Sequence, residues 1–174
     1  MRVLIGAATL LASSMALGDV ALRIGDDSLA LHLDGGMGAE ASTQLGLVHN
    51  DDTDSTLVTG GLFVNGKRDG ISGRVGGKAF YADWDDSGYG VALGGELAVP
   101  FNSDFSMVAG LYYSPDMLSF SDADGYEEWF VKFNFHIFEN ALLSAGYSSV
   151  EIDVDGRRDV ELEDGLFLGM SLRF

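Results

Sequence analysis

The chain has no cysteine, only two prolines in 174 residues, and ten basic residues against 27 acidic ones. Without cysteine there is no disulfide framework, no thiolate nucleophile and no thiolate metal site. An oxidising compartment therefore poses no hazard. A formal net charge of −17 argues against nucleic acid as a partner and against a polybasic membrane anchor. Past the N-terminus, no stretch approaches the ~20 consecutive apolar residues that a helical membrane span needs. What is present is glycine, 24 residues of it, and apolar residues at alternating positions. Scarce proline, abundant glycine and a period of two together indicate β structure with tight packing, not disorder.

The one apolar run is N-terminal. Arg2 precedes residues 3–12, which are almost wholly apolar, and Ala16-Leu17-Gly18 supplies the small residues a signal peptidase needs. The run is too short for a membrane span and Ser13-Ser14 interrupts it. Residues 1–18 therefore read as a signal peptide. One domain follows, with an N-terminal segment or extra hairpin over 19–38 and a β-barrel over 39–174.

The other end carries the clearest alternation. Counted back from Phe174, the residues Leu172, Met170, Leu168 and Leu166 are apolar, with Arg173, Ser171, Gly169 and Phe167 between them. This is a strand with one apolar face and one mostly polar or small face. It resembles the C-terminal strand of bacterial outer-membrane β-barrels. That resemblance implies that Leu166, Leu168, Met170, Leu172 and Phe174 are the residues the barrel-assembly machinery reads.

The same period runs back through the chain. Residues 39–49, 55–64, 71–83, 88–99, 104–114, 126–138, 141–153 and the terminal stretch each read as a strand, which makes eight. In residues 126–138 the outward set is Trp129, Val131, Phe133, Phe135 and Ile137, while Glu128, Lys132, Asn134 and His136 share the other face. Within 20–38, Val20, Leu22 and Ile24 alternate, then Leu29, Leu31 and Leu33, but each run is shorter than the ~9–11 residues of a transmembrane strand. If they form a hairpin, the count becomes ten. Connections alternate in length: Asn65-Gly66-Lys67-Arg68-Asp69-Gly70, Pro100-Phe101-Asn102-Ser103 and Glu139-Asn140 are short turns, and acidic loops lie at the opposite end. The expected fold is all-β, an antiparallel up-and-down transmembrane β-barrel.

Aromatic residues gather at both ends. Trp84, Tyr89, Tyr113, Tyr126 and Trp129 lie toward the loops, and Phe101, Phe105, Phe138 and Phe174 toward the turns, as two interfacial girdles would require. A soluble lipocalin-like barrel or β-sandwich would instead bury the apolar face. The signal peptide, a supposed lumen face rich in Gly, Ala and Ser, and the terminal strand favour the bacterial outer membrane.

The charged residues expected in the lumen are Glu40, Arg74, Lys78, Glu96, Lys132, His136 and Arg173. Opposite charges there should pair, because an isolated buried charge is very costly. A hairpin turning near Asp85 sets Arg74 opposite Glu96. The expected interior is thus a packed, salt-bridged plug, with a small porin-like channel as the alternative. Asp51, Asp52, Asp54, Asp83, Asp85, Asp86 and the acids of 116–128 and 151–164 form an acidic outer rim. Glu151-x-Asp153-x-Asp155-Gly156 resembles the start of a calcium loop, but its twelfth position is Leu162 and not glutamate. His49, near Asp51 and Asp52, lacks the His-x-Ser arrangement of lipid A deacylases, so no catalytic residue, cofactor or metal is expected.

Taken along nearly its whole length, the chain resembles the YfaZ family of small outer-membrane proteins. The resemblance rests on the signal peptide, the size of the remaining chain, the Gly- and aromatic-rich β pattern, and the ending Leu172-Arg173-Phe174. Opa-like and OmpA-like small barrels share several of these features. The resemblance implies no catalytic residues and a structural or surface-interaction role. The expected partners are outer-membrane lipids, lipopolysaccharide and the assembly machinery, with the protein a monomer.

Overall fold

The computed structural model describes residues 17–38, 40–154 and 159–174. The n-region and apolar run of the signal peptide lie outside the described residues, as do Asp155, Gly156, Arg157 and Arg158 of the calcium-loop-like stretch.

Eleven strands form one antiparallel sheet: β1 (Leu17–Gly25), β2 (Ser28–Gly36), β3 (Ala41–Asn50), β4 (Ser55–Arg68), β5 (Ile71–Asp83), β6 (Ser87–Pro100), β7 (Phe105–Ser114), β8 (Ser119–Ser121), β9 (Gly125–Phe138), β10 (Ala141–Asp153) and β11 (Val160–Arg173). Ten of them close a ring, because β5 pairs with β6, β7 with β9 and β11 with β1. The three-residue β8 adds to β6 at the loop end.

The barrel therefore has ten strands and not eight, and the difference lies in residues 17–36. The two short alternating runs are the nine-residue strands β1 and β2, joined through Asp26-Asp27. Their outward residues alternate as expected. Their inward positions hold the lumen side chains Arg23, His32 and Asp34, and the few alternating apolar residues on the outward side make each run look too short to span. A backbone bond from Asp51 N–H to Asp27 C=O, 2.9 Å, ties the tip of this short hairpin to the end of β3. The ring closes where β1 pairs with β11, with Asp19 opposite Arg173, Val20 opposite Leu172 and Leu22 opposite Met170.

Turn chemistry explains the register. Asp69 and Gly70, at φ 51° and 86°, form a two-residue turn with both central residues left-handed. Such a turn matches the twist of the flanking strands. The Asn-Gly pair expected in the turn stays inside β4, where Asn65 pairs with Arg74 and Gly66 with Gly73.

The apolar face points outward. Leu62, Val75, Leu93, Leu97, Leu166 and Leu168 are each more than half exposed, and they belong to a continuous apolar belt around the ring. A water-soluble barrel does not present such a belt. At the loop end Tyr89 stacks on Phe120 and Trp129 on Tyr147; at the turn end Phe105 stacks between Phe101 and Phe133. Two residues expected in the loop-end girdle are elsewhere. Tyr126 is wholly buried in the lumen, and Trp84 packs on the buried apolar cluster.

Tyr112 also needs a glycine across from it. A Cβ added at Gly94 would stand 2.1 Å from the Leu111 carbonyl oxygen and 2.7 Å from Tyr112 Cα, so the tyrosine lies flat against a bare backbone. Gly94→Ala is expected to destabilise the barrel by about 1–3 kcal/mol through overpacking. Outward-facing Gly60 has only a Leu45 methyl at 3.5 Å, so Gly60→Ala should stay within about 0.5 kcal/mol. Urea titration of both variants in lipid vesicles checks the contrast.

Candidate functional site

The interior divides into two halves of different chemistry. In the loop half, the inward positions are mostly apolar, with small polar residues such as Ser55 and Ser114 among them: Leu57, Tyr112, Tyr126, Ile152 and Leu162 are at most 1% exposed. Phe80 stacks on Tyr126 with ring centroids 4.6 Å apart and an interplanar angle of 18°. The connection between β7 and β9 folds inward so that Ala123, with Val154 from the next connection, joins this cluster. The loop end of the lumen is filled by side chains packed as in a protein core.

Below this plug lies a network of ion pairs. Arg74 is held between Glu96 and Asp34, each at 2.7 Å, and its guanidinium lies 4.7 Å over the Phe63 ring. Tyr112 donates its hydroxyl to Glu96 at 2.8 Å, and Gln44 donates to Asp34 at 3.2 Å. Lys78 meets Glu128 at 2.5 Å, with its ammonium 3.6 Å from the centre of the Tyr112 ring. Tyr126 also donates to Glu128. Arg23 meets Glu163 at 3.1 Å, and Ser148 donates to the same carboxylate at 3.3 Å. Each carboxylate thus takes one cation and one neutral donor, an arrangement that offsets much of the cost of burying it.

The expected lumen residues divide accordingly. Arg74, Lys78, Glu96 and Lys132 are inside, and Arg74 does meet Glu96, its cross-strand partner. Glu40 is not in the lumen: it is exposed in the turn before β3, because that strand starts at Ala41. His136 sits at the turn-end rim with Nδ1 3.4 Å from the Asp104 carbonyl oxygen. Arg173 is at the same rim, exposed and paired with Asp19 at 3.0 Å.

Several lumen residues escape the sequence reading. Glu128, although on the lumen face of residues 126–138, and Glu163 group with the acidic loops because acids flank them in the chain; β9 and β11 carry both side chains inward. Counting by twos from Arg173 reaches Glu163, and from Lys132 reaches Glu128, so period two held the signal. Arg23, His32 and Asp34 belong to the two short N-terminal runs, which form the strands β1 and β2.

Toward the turn end the lumen opens into a cup of about 560 Å³. Arg23, His32, Asp34, Arg74, Glu96 and Lys132 line its floor and walls, with Asn134 and Ser144 beside them. Arg23 Nε, His32 Nε2 and Arg74 Nε are buried without a hydrogen-bond partner from the protein.

Residues 2–174 match the family model described as YfaZ precursor. The chain belongs to the YfaZ family. It is 34% identical over 129 residues to Outer membrane protein YfaZ of Escherichia coli (strain K12), an alignment covering 72% of this chain and 71% of that protein. Among solved structures it is similar to the outer membrane channel DcaP of Acinetobacter baumannii, with a TM-score of 0.45 and 11% identity over 88% of this chain and 54% of that one. This chain thus matches about half the length of that channel.

The YfaZ-family barrel resides in the bacterial outer membrane, and the family's description as a precursor accords with an N-terminal signal peptide. By the ordinary orientation of such barrels, the turn end faces the periplasm and the loop end faces outward. On the outer rim of the YfaZ-family barrel, carboxylate oxygens of Glu151, Asp153 and Asp159 come within 4.8 Å of one another. His49 Nε2 lies 3.3 Å from Asp51, whose side chain is 89% exposed, and Nδ1 lies 3.0 Å from Thr56 Oγ1. This is a solvated rim contact.

Proposed function

We propose that this YfaZ-family protein is a closed outer-membrane barrel with a structural or surface-interaction role in the cell envelope, and that it neither conducts solutes end to end nor catalyses a reaction. The observation that carries the reading is the apolar plug. Leu57, Tyr112, Tyr126, Ile152 and Leu162 fill the outer half of the lumen with almost no exposed surface. Water-filled porins instead carry polar side chains along the whole lumen. The ion pairs beneath the plug are interlocked, and mixed signs at such short range brace the wall and obstruct a conduit.

The proposed partners are outer-membrane lipids and lipopolysaccharide around the apolar belt and girdles. During assembly, the barrel-assembly machinery would read Leu166, Leu168, Met170, Leu172 and Phe174, all outward on β11 or just after it. The barrel is proposed to act as a monomer.

Planar-bilayer recording of the refolded chain from residue 19 tests the reading. The expected outcome is a silent bilayer, with insertion confirmed by protease protection. Discrete current steps that change in Arg74→Gln or Glu96→Gln would replace this reading with that of a small porin-like channel.

A further inference from the structure

We propose that the periplasm-facing cup of the lumen is a binding site for a small free solute bearing a carboxylate or phosphate, with Lys132 and His32 as its main contacts. The inference goes beyond the closed-barrel reading and does not depend on it, because the cup opens to the periplasm whether or not the outer half conducts. Its volume of about 560 Å³ lies within the range of sites that enclose small molecules.

The argument rests on which groups in the lumen already have partners. Among the described residues the lumen carboxylates Asp34, Glu96, Glu128 and Glu163 are all taken, and Asp19 at the rim is paired with Arg173. Glu96 and Asp34 both receive Arg74, with Tyr112 and Gln44 respectively as second donors. Glu128 receives Lys78 and Tyr126, and Glu163 receives Arg23 and Ser148. Because two carboxylates converge on Arg74, one cation is left over. That cation is Lys132, which among the described residues is within 4 Å of no carboxylate; Glu96 and Asp34 act on it only at longer range, and the Phe130 ring centre is 5.5 Å away.

Arg23, Arg74 and His32 line the cup, and the two arginine Nε atoms and His32 Nε2 are buried just behind its surface without a protein partner, where a side-chain rotation would turn them to a solute. Two are donors of cationic side chains, and the imidazole nitrogen becomes a donor in the appropriate tautomer. His32 also lies within electrostatic reach of Arg23, Lys132, Lys78 and Arg74 together. A cup whose acceptors are engaged and whose spare groups are cationic donors is matched by a ligand that brings acceptors and negative charge. A charge-assisted bond from Lys132, inside a partly desolvated lumen, would hold an oxyanion, with the buried Arg23 Nε–H turning toward it on binding. Asn134 and Ser144 on the same wall could hydrogen-bond the rest of the solute.

The test uses the full chain from residue 19, refolded in a maltoside detergent so that no headgroup phosphate competes. Inorganic phosphate and acetate are titrated separately at millimolar concentration, and the imidazole ¹⁵N signals of His32 are followed by NMR, with calorimetry alongside. A saturable His32 shift with either anion supports the proposal, and the anion that works identifies which of the two groups the cup takes. Lys132→Met should weaken binding by about tenfold or more, as expected for loss of a charge-assisted contact. Lys132→Arg should retain it, and Lys67→Met at the periplasmic turn should change nothing. If Lys132→Met fails to refold, His32→Gln read by calorimetry gives the same comparison. No saturable shift with either anion would overturn the proposal. So would binding that Lys132→Met or His32→Gln leaves intact.

Discussion

Glu128→Ala is expected to lower the unfolding free energy of the barrel by about 3–5 kcal/mol, the range seen when one partner of a buried ion pair is removed. The reason is the surroundings of Lys78. Its side chain is 3% exposed and Glu128 is its ion partner, at 2.5 Å. The Tyr112 ring face beneath the ammonium softens the loss without replacing it, because a cation–π contact contributes only about 0.5–2 kcal/mol. Tyr126, fully buried, loses its hydroxyl partner in the same substitution. Replacing both partners, as Lys78→Met with Glu128→Leu, removes the stranded charge and should recover most of the stability. Equilibrium unfolding by urea in lipid vesicles, followed by tryptophan fluorescence, measures all three variants. A Glu128→Ala loss below about 1 kcal/mol would place the pair in solvent, as for a surface salt bridge, and would contradict the packed lumen.

Leu93→Arg should destabilise the folded barrel by about 2–4 kcal/mol, the cost of an arginine facing lipid near the bilayer midplane. Leu93 lies midway along β6 and is 58% exposed on the outer face, between Gly77 and Tyr113 of the neighbouring strands. In a barrel that stood in water the same change would fall within about 0.5 kcal/mol, since it touches no buried group. The substitution therefore separates an outward face bathed in lipid from one bathed in water. The same unfolding assay reads it, with Leu93→Ala as the control for lost side-chain contacts.

The two experiments probe opposite faces of one wall, and together they explain how the chain tolerates its acidity. The excess negative charge is carried largely by the outer connections, where water and counter-ions screen it. Inside, among the described residues, four cations and four carboxylates share the lumen above its rim, through the pairs Arg23 with Glu163, Arg74 with Asp34 and Glu96, and Lys78 with Glu128, and through Lys132.

Much of this could be read from residues alone, and the boundary is physical. Period two, the terminal strand ending at Phe174 and the scarcity of proline were enough to reach an exported, antiparallel barrel, because every residue of such a wall faces either lipid or lumen. The Arg74 to Glu96 pair was legible too, because the two residues sit opposite each other on adjacent strands joined by a short connection. The strand count was not. β1 and β2 are at the lower limit of spanning length, and each shows only three alternating apolar residues before Gly25-Asp26-Asp27 or Gly35-Gly36 interrupts. Lys78 and Glu128 stand on β5 and β9, strands that are not neighbours, so no cross-strand register could bring them together. Alternation also could not show that Leu57, Phe80, Tyr112 and Ile152 face inward as a plug, since apolar residues suit lipid and core equally well. One-dimensional order determined the wall and its home in the membrane. Closure of that wall, which brings distant strands face to face across the lumen, decided which charges pair, which end is sealed and which cation is left over.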